Sequence, residues 1–233
     1  MEMNIAVIPG DGIGPEITTA AIIVLEAIAE KYGHVLNLQY VKACSQSVEE
    51  SGEPLPKEAL ETCLQADAVL LGNTGLEKYK NLPLSKRPEY ALLKLRKELK
   101  VTTNIRPVHV YPELKLLSPL NQNALSKGLD YLFVRDIAGG VLCSDQVKGE
   151  GENGPEAYEY YNQKIVEETA GFAFELAKAR KGKVVSLDKA NVLGSSRLWR
   201  KTVTEIGKEY PEVELTMNIL ILRIKTDPYA MVL

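Results

Sequence analysis

The chain has 233 residues, of which 45% are hydrophobic and 25% are charged, and its formal net charge at pH 7 is −3. This composition is typical of a globular protein with one large domain or two smaller ones. The charge balance gives no basis for a nucleic-acid or anionic-membrane partner. No apolar run reaches membrane-spanning length, no signal peptide precedes the first strand, and the three cysteines form no CxxC pair. We therefore expect a cytoplasmic protein.

Strand and helix patterns alternate along the chain. Apolar β-branched runs predict strands at residues 4–8, 36–41, 68–71, 101–105, 129–134, 184–187 and from 213 onward. Helical periodicity predicts helices at residues 16–31, 56–63, around 92–99, 158–180 and 195–210, with Gly182 ending the fourth and Ser195 capping the last. Pro107 is expected to close the fourth strand. The alternation indicates an α/β fold with a largely parallel sheet.

A glycine-rich turn, PGDGIGP, joins the first strand to the first helix at residues 9–15. A dinucleotide-binding Rossmann turn needs Gly-x-Gly-x-x-Gly and an acidic residue after the second strand. Gly10 and Gly12 fit this pattern, but Pro15 stands at the sixth place and no acidic residue follows the second strand. We therefore reject a Rossmann interpretation of this turn.

The stretch RPEYALLKLRKELKVTTNIRP, at residues 87–107, combines a helix with a strand and carries two arginines, Arg96 and Arg106. A third, Arg135, follows the apolar run at 131–134. Arginines at the ends of elements suit a site for carboxylates, because a guanidinium makes two parallel hydrogen bonds to one carboxylate. From the residues alone, three unrelated surface arginines remain the alternative.

Several motifs together resemble the isocitrate/isopropylmalate dehydrogenases, the NAD(P)- and metal-dependent β-decarboxylating dehydrogenases. These motifs are IAVIPGDGIGPEI, the block from NLP through RPEYALLKLRKEL to NIRPVHVYP, VRDIAGG, KGEGENG and SLDKANVLGSSRLWR. The resemblance implies a two-domain α/β fold that is distinct from Rossmann, and a homodimer. It divides this chain into residues 1–101, an incomplete first domain, and residues 102–233, a dimerisation domain with an arm near 141–157.

The resemblance also assigns roles to residues. Arg96, Arg106 and Arg135 match the arginines that hold malate-type carboxylates. Lys189, in the DKAN turn, matches the lysine that acts in acid–base chemistry at the substrate hydroxyl, from the partner subunit. The segment at residues 76–89 matches the one along the nicotinamide end of the coenzyme. The expected coenzyme-binding residues are Thr74, Gly75, Leu76, Asn81 and Glu89.

The substrate class depends on the residues before Arg96. In the isocitrate enzymes that this family includes, a Ser–x–Asn pattern stands there and contacts the extra carboxylate of isocitrate. This chain carries Glu89, Leu92 and Leu93 at the corresponding places. Two leucines favour an alkyl group and disfavour a desolvated carboxylate. The expected substrate is 3-isopropylmalate or a related alkylmalate, although core packing of the two leucines is the alternative.

Three departures from the family pattern affect the chemistry. Leu142 stands where the family has a proton-donating tyrosine. No carboxylate occupies residues 217–224, where a metal-binding aspartate is expected, so no metal ligand is assigned although the family uses Mg²⁺ or Mn²⁺. The match also stops before the family's C-terminal part, which suggests truncation. We expect the activity of a leucine-biosynthesis-type dehydrogenase, using NAD, to be impaired; an inactive fragment that dimerises or binds dicarboxylates weakly is the alternative.

Overall fold

The computed structural model describes residues 1–120, 123, 125, 126, 128–140, 150, 151, 154, 155 and 159–219. The chain divides into two compact units, Met1–Lys100 and Val101–Leu233. Each unit has its own hydrophobic clusters, so each is described by itself.

Unit 1 is built on a parallel three-stranded sheet with the strand order β2-β1-β3. The strands are β1 (Glu2–Gly10), β2 (Val35–Tyr40) and β3 (Ala68–Asn73). The helices are α1 (Gly14–Tyr32), α2 (Ser45–Ser51), α3 (Lys57–Gln65) and α4 (Glu89–Glu98). Successive residues of a strand point to opposite faces of the sheet. The buried run of residues 5–8 in β1 therefore supplies apolar side chains to both faces.

The two faces of β1 are covered by different helices. Ile5 and Val7 pack with Ile22 of α1 on one face. On the other face Ala6 and Ile8 belong to a larger cluster with residues of α3 and α4. This arrangement places the carboxyl ends of all three parallel strands at one edge of the sheet, the edge at which α/β sheets bind ligands.

The described part of unit 2 contains three strand pairs and two helices. The first pair, β4 (Thr103–Val110) and β5 (Leu129–Asp136), is antiparallel, and the second, β8 (Lys183–Asp188) and β9 (Glu214–Ile219), is parallel. Two short strands, β6 (Glu150–Gly151) and β7 (Gly154–Pro155), form an antiparallel pair. The helices are α5 (Gln163–Lys178) and α6 (Gly194–Gly207), which share a core around Phe174, Trp199 and Val203.

The structure corrects several sequence predictions. β4 continues through Pro107, which lies opposite Leu132, and Arg106 is therefore in mid-strand rather than at a strand end. A proline is tolerated in a ladder where its nitrogen has no hydrogen bond to donate. α5 begins at Gln163 instead of residue 158, and α2 was not predicted at all. Ser195 does not cap α6, because the helix begins one residue earlier.

Candidate active site

The carboxyl edge of the unit 1 sheet is organised by a buried carboxylate. Asp11 is 2% exposed and follows β1 directly. Its Oδ1 accepts a hydrogen bond of 2.8 Å from the Ser45 backbone N–H, and its Oδ2 accepts one of 2.7 Å from the Gly75 N–H. The loops that follow all three strands are therefore joined at one side chain.

The glycine-rich turn packs against protein instead of forming an open cradle. A Cβ on Gly10 would collide with the Asn73 carbonyl, and one on Gly14 would collide with the Pro9 carbonyl. Gly72 of β3 is crowded in the same way, with the Thr18 hydroxyl 2.7 Å from the Cβ position. These glycines allow β1, β3 and α1 to approach closely. This packing agrees with the rejection of a Rossmann turn.

The loop of residues 74–88, which we call the coenzyme loop because the family resemblance predicts a coenzyme there, has two short 3₁₀ helices, Glu77–Tyr79 and Leu84–Lys86. The Tyr79 hydroxyl and the Lys78 ammonium both donate hydrogen bonds to the Glu49 carboxylate, which fastens the loop to α2. These bonds lower the pKa of the Glu49 carboxyl, the Lys78 bond most. The loop is thus held at both its start and its middle.

The predicted coenzyme residues occupy the first part of this loop and the start of α4. Thr74, Gly75 and Leu76 are half-buried, and Asn81 is exposed. Gly75 has φ +98°, and a Cβ there would collide with the Glu89 carboxylate, so Glu89 lies directly against the loop backbone. At Gly12 the nearest atom to a Cβ would be the Leu76 Cδ2, at 3.5 Å.

The substrate residues predicted on α4 share one helix face. Measured from Glu89, the first residue of α4, the other three follow at three, four and seven residues: Leu92, Leu93 and Arg96. At these spacings all four lie on one side of the helix. Ala91 and Leu95, on the opposite side, are buried in the core. Both leucines of the predicted apolar wall are half-buried. α4 therefore brings the two leucines and Arg96 together.

In unit 2 the structure brings Arg106 and Arg135 together. Asn104 pairs directly with Arg135 across the β4–β5 ladder, and Arg106 is two residues along the same face. Diagonal neighbours on one face are about 7–8 Å apart at Cα, within the reach of two long side chains. The Arg106 Nε donates a 3.0 Å hydrogen bond to the Asn104 Oδ1, which orients the guanidinium. Both arginines are exposed.

Lys189 lies in the turn between β8 and α6 and is half-buried. Its carbonyl accepts hydrogen bonds from the N–H groups of Val192 and Leu193, which close the turn. The preceding Asp188 has a buried carboxylate that accepts two bonds from Arg200, at 2.8 and 3.0 Å, and one from the Ala190 N–H. This ion pair fixes the turn that presents Lys189.

Two glycines that follow β5, Gly139 and Gly140, pack against the ring of Tyr161. A Cβ on Gly139 would lie 2.6 Å from a Tyr161 ring carbon, and one on Gly140 would lie 2.8 Å from the Tyr161 hydroxyl oxygen. Burial, and next the Asp136 carboxylate, raise the pKa of the Tyr161 hydroxyl. Asp136 also accepts hydrogen bonds from the N–H groups of Ala138 and Gly139. Leu142, at the place of the family tyrosine, lies outside the described residues.

Among the residues that the structure describes, no three His, Cys, Asp or Glu side chains converge on one point. No helix among the same residues is long and apolar enough to cross a bilayer.

The family model for isocitrate/isopropylmalate dehydrogenase matches residues 4–222. The chain belongs to the isocitrate/isopropylmalate dehydrogenase family. The 3-isopropylmalate dehydrogenase of Clostridium pasteurianum is 48% identical over 217 residues, which cover 92% of this chain and 61% of the relative. That of Thermotoga maritima is 46% identical over 215 residues, with 92% and 60% covered.

Solved structures of this family have the same fold. A β-decarboxylating dehydrogenase from Thermococcus kodakarensis, in its apo form, matches with a TM-score of 0.72 at 28% identity and covers 99% of this chain and 63% of its own. These matches confirm the predicted α/β fold of the isopropylmalate dehydrogenase type. The chain spans about 60% of the length of the curated relatives it matches.

Sequence reasoning assigned roles to the arginines, the leucines and Lys189, and these assignments stay predictions; it did not single out the side chains that hold neighbouring groups in place. Asp11, Asn104 and Asp188 all act through hydrogen bonds to neighbours that the sequence does not reveal. Asp11 carried one available signal, because an acidic residue inside a turn of glycines between buried elements needs partners. Glu49 lies on α2, the helix that periodicity did not detect.

Proposed function

We propose that this chain is an NAD-linked β-decarboxylating dehydrogenase of the isopropylmalate type, which binds 3-isopropylmalate or a related alkylmalate and turns it over weakly. One observation carries this proposal: Arg106 and Arg135 are diagonal neighbours on one face of β4–β5. Asn104 lies directly opposite Arg135 and accepts a hydrogen bond from Arg106. Two guanidinium groups at that spacing suit one carboxylate each on a short dicarboxylate. We also propose a cytoplasmic homodimer, as the family suggests.

The roles of the chain's own residues follow from their chemistry. Arg106 and Arg135 of unit 2 bind carboxylates, and Arg96 of α4 matches a third carboxylate-binding arginine of the family. Lys189 accepts or returns the proton of the substrate hydroxyl. The bound coenzyme would supply the two-electron acceptor, and Thr74, Gly75, Leu76, Asn81 and Glu89 would hold it. No step is assigned to a metal ion, since no three His, Cys, Asp or Glu side chains converge among the described residues.

Selectivity for an alkyl group is assigned to Leu92 and Leu93. Each buried methylene contributes about 0.8 kcal/mol, so an isopropyl group contributes on the order of 2 kcal/mol if it is fully buried. A carboxylate against the same two leucines would be desolvated without a hydrogen-bond donor. We therefore expect 3-isopropylmalate to bind at least tenfold more tightly than isocitrate. Substituting Leu92→Ser should reduce this preference, as measured by calorimetric titration with both ligands.

The arginine face is tested by binding. We expect Arg135→Gln to weaken binding of 3-isopropylmalate roughly 10–100-fold, because a charge-assisted hydrogen-bond pair is lost. Arg180→Gln is the matched control, since Arg180 is an arginine of the same unit that pairs with Asp130 and is not on this face. Equal affinity of the wild-type and Arg135→Gln chains would overturn the assignment.

Turnover is tested by NADH formation from NAD⁺ and 3-isopropylmalate, with Mn²⁺ present and with Lys189→Ala as the control. We expect a rate far below that of a full-length relative, and a further loss in the control. A dicarboxylate-binding protein without turnover is the second candidate function, favoured by the absence of converging metal ligands in the described residues. Binding without any NADH formation would establish that second function instead.

A further inference from the structure

We propose that Asp11 is a positioning residue for the coenzyme loop: its buried carboxylate fixes the backbone of Thr74–Leu76 in the arrangement that receives the coenzyme. The inference rests on the proposed coenzyme function of this loop and deepens it. Asp11 is outside the set of substrate and coenzyme residues assigned above. It acts on that set only through hydrogen bonds to backbone groups.

The first step is that Asp11 bonds to all three loops of the carboxyl edge. Its own N–H donates a 2.7 Å bond to the Asn73 carbonyl at the end of β3. Its two carboxylate oxygens accept bonds from the N–H groups of Ser45 and Gly75, at 2.8 and 2.7 Å. These loops are distant in sequence, with separations of 34 residues to Ser45 and 64 to Gly75. One residue therefore determines how the loop after β3 leaves the sheet.

The second step is that this position requires a carboxylate. Two backbone donors reach Asp11, and a carboxylate has one acceptor oxygen for each. An amide has a single acceptor oxygen, and its NH₂ group would face the other backbone N–H. With 2% of Asp11 exposed, water has little access to replace the lost acceptor. An Asp11→Asn chain must therefore leave the Ser45 or the Gly75 N–H unpaired.

The third step connects Gly75 to Glu89. The Glu89 carboxylate occupies the place where a side chain at Gly75 would begin, so the two residues are in direct contact. Gly75 also has a positive φ of 98°, which other residues adopt only with strain. A shift of Gly75 would therefore alter the approach of Glu89, in the first turn of α4. Asp11 thereby influences both the backbone and the acidic side chain of the proposed coenzyme site.

The chain offers a matched control at the opposite edge of the same sheet. Asp67 accepts a 2.8 Å hydrogen bond from the Asn4 backbone N–H, so it also bridges two segments through its carboxylate. It precedes β3, whereas the coenzyme loop follows it. Asp67→Asn thus makes the same chemical change on the same sheet without touching the coenzyme loop.

The experiment compares Asp11→Asn with Asp67→Asn by two measurements. Amide hydrogen exchange, resolved by NMR, reports the hydrogen bonds of Gly75 and Ser45. Fluorescence titration with NADH reports coenzyme affinity. We expect Asp11→Asn to speed exchange at Gly75 or Ser45 at least tenfold and to weaken NADH binding at least fivefold. The amide exchange rates and the NADH affinity of Asp67→Asn should stay within twofold of the wild type.

The outcomes separate the inference from the proposed function. Unchanged NADH affinity in a folded Asp11→Asn chain would overturn the positioning role. Equal weakening of NADH binding in Asp11→Asn and Asp67→Asn would also overturn it, because that pattern indicates general destabilisation. If the wild-type chain binds no NADH, the coenzyme function fails, and unchanged exchange at Gly75 and Ser45 would then overturn the Asp11 role independently.

A second variant keeps the test decisive if Asp11→Asn does not fold. Gly75→Ala retains the Asp11–Ser45 bond but places a methyl group against the Glu89 carboxylate. We expect it to weaken NADH binding at least fivefold while the Ser45 amide remains protected from exchange. NADH affinity equal to that of the wild type would show that the backbone at Gly75 does not matter for the coenzyme, and would overturn the proposal.

Discussion

Cys44 is a buried cysteine in a backbone conformation that favours glycine. Its φ is 61° and its ψ is −136°, and its exposed fraction is 0%. Its N–H donates a 2.8 Å hydrogen bond to the Pro54 carbonyl, which holds the chain in this conformation at the start of α2. Non-glycine residues in such regions store roughly 1–3 kcal/mol of strain. The residue therefore lowers stability next to the Asp11 contact.

The first prediction concerns this strain. We expect Cys44→Gly to be more stable than Cys44→Ala by about 1 kcal/mol, because both lose the thiol and only glycine adopts a positive φ without strain. The measurement is urea unfolding monitored by circular dichroism. Cys63 is the control, since it is equally buried but lies within α3. There the order should reverse, with Cys63→Gly about 1 kcal/mol below Cys63→Ala.

The second prediction concerns pH. Burial, and next the Asp11 and Glu89 carboxylates, raise the pKa of the Cys44 thiol to about 12. Above pH 9 the unfolded thiol loses its proton while the folded one keeps it, so ionisation favours unfolding. The stability present below pH 9 is therefore lost as the pH rises toward 12. We expect the wild type to lose on the order of 1 kcal/mol more than Cys44→Ala by pH 10. Parallel stability curves for the two chains would contradict this.

At the scale of elements, α5 shows how local sequence signals set helix ends. The Asn162 side chain accepts a 3.0 Å hydrogen bond from the Ile165 N–H and begins the helix. Gly182, with φ +65°, donates its N–H to the Ala177 carbonyl after the helix ends. A second glycine, Gly171, lies inside α5, and no atom is within 4 Å of the place where its Cβ would be. The same residue type therefore has opposite effects at two positions of one segment.

The third prediction uses this pair. We expect Gly182→Ala to destabilise the chain by about 1 kcal/mol, because alanine is strained in the left-handed conformation. Gly171→Ala should stabilise it by roughly 0.5–1 kcal/mol, because alanine loses less backbone entropy in a helix interior. Thermal unfolding of both variants checks the two signs. A Gly182→Ala chain as stable as the wild type would indicate that the helix end does not depend on Gly182.

These elements also show what the sequence could predict. Helix α5 and the stop at Gly182 followed from periodicity and a single glycine, which are local properties. β4 was predicted to end at Pro107 because a proline has no backbone N–H to donate to the ladder of a sheet. Only the pairing of Pro107 with Leu132 shows that the ladder continues. Pairing is a long-range property, so a local pattern does not contain it.

The same difference between local and long-range properties applies to the residues of the candidate site. Arg106 and Arg135 were chosen by residue type and family resemblance, and their shared face depends on the register of β4 with β5. Asp11 was not chosen, although it joins three loops, because its partners Ser45 and Gly75 are backbone groups far along the chain. Sequence reasoning therefore finds groups with distinctive chemistry. It misses those whose role is to hold other groups in place.

At the scale of the whole molecule, α1 has two apolar sides. One side is buried against the sheet and includes Ile22, which is 7% exposed. The other side carries Ile17, Val24 and Ile28, spaced by seven and four residues and between 45% and 57% exposed. A row of exposed apolar side chains at helical spacing is a surface that associates with other apolar surfaces. A net charge of −3 gives only weak repulsion against such association.

The fourth prediction is that this second side of α1 promotes self-association. We expect Val24→Glu to change the free energy of unfolding by less than about 0.5 kcal/mol, because exposed positions tolerate charge. It should also lower the average mass seen by sedimentation velocity at high protein concentration, since a carboxylate interrupts the apolar row. Ile22→Glu is the control on the buried side of the same helix. It should destabilise unit 1 by several kcal/mol, because it buries an unpaired charge. If Val24→Glu leaves the concentration dependence of the mass unchanged, the exposed side of α1 is not an association surface, and its apolar residues do not limit the solubility of the molecule.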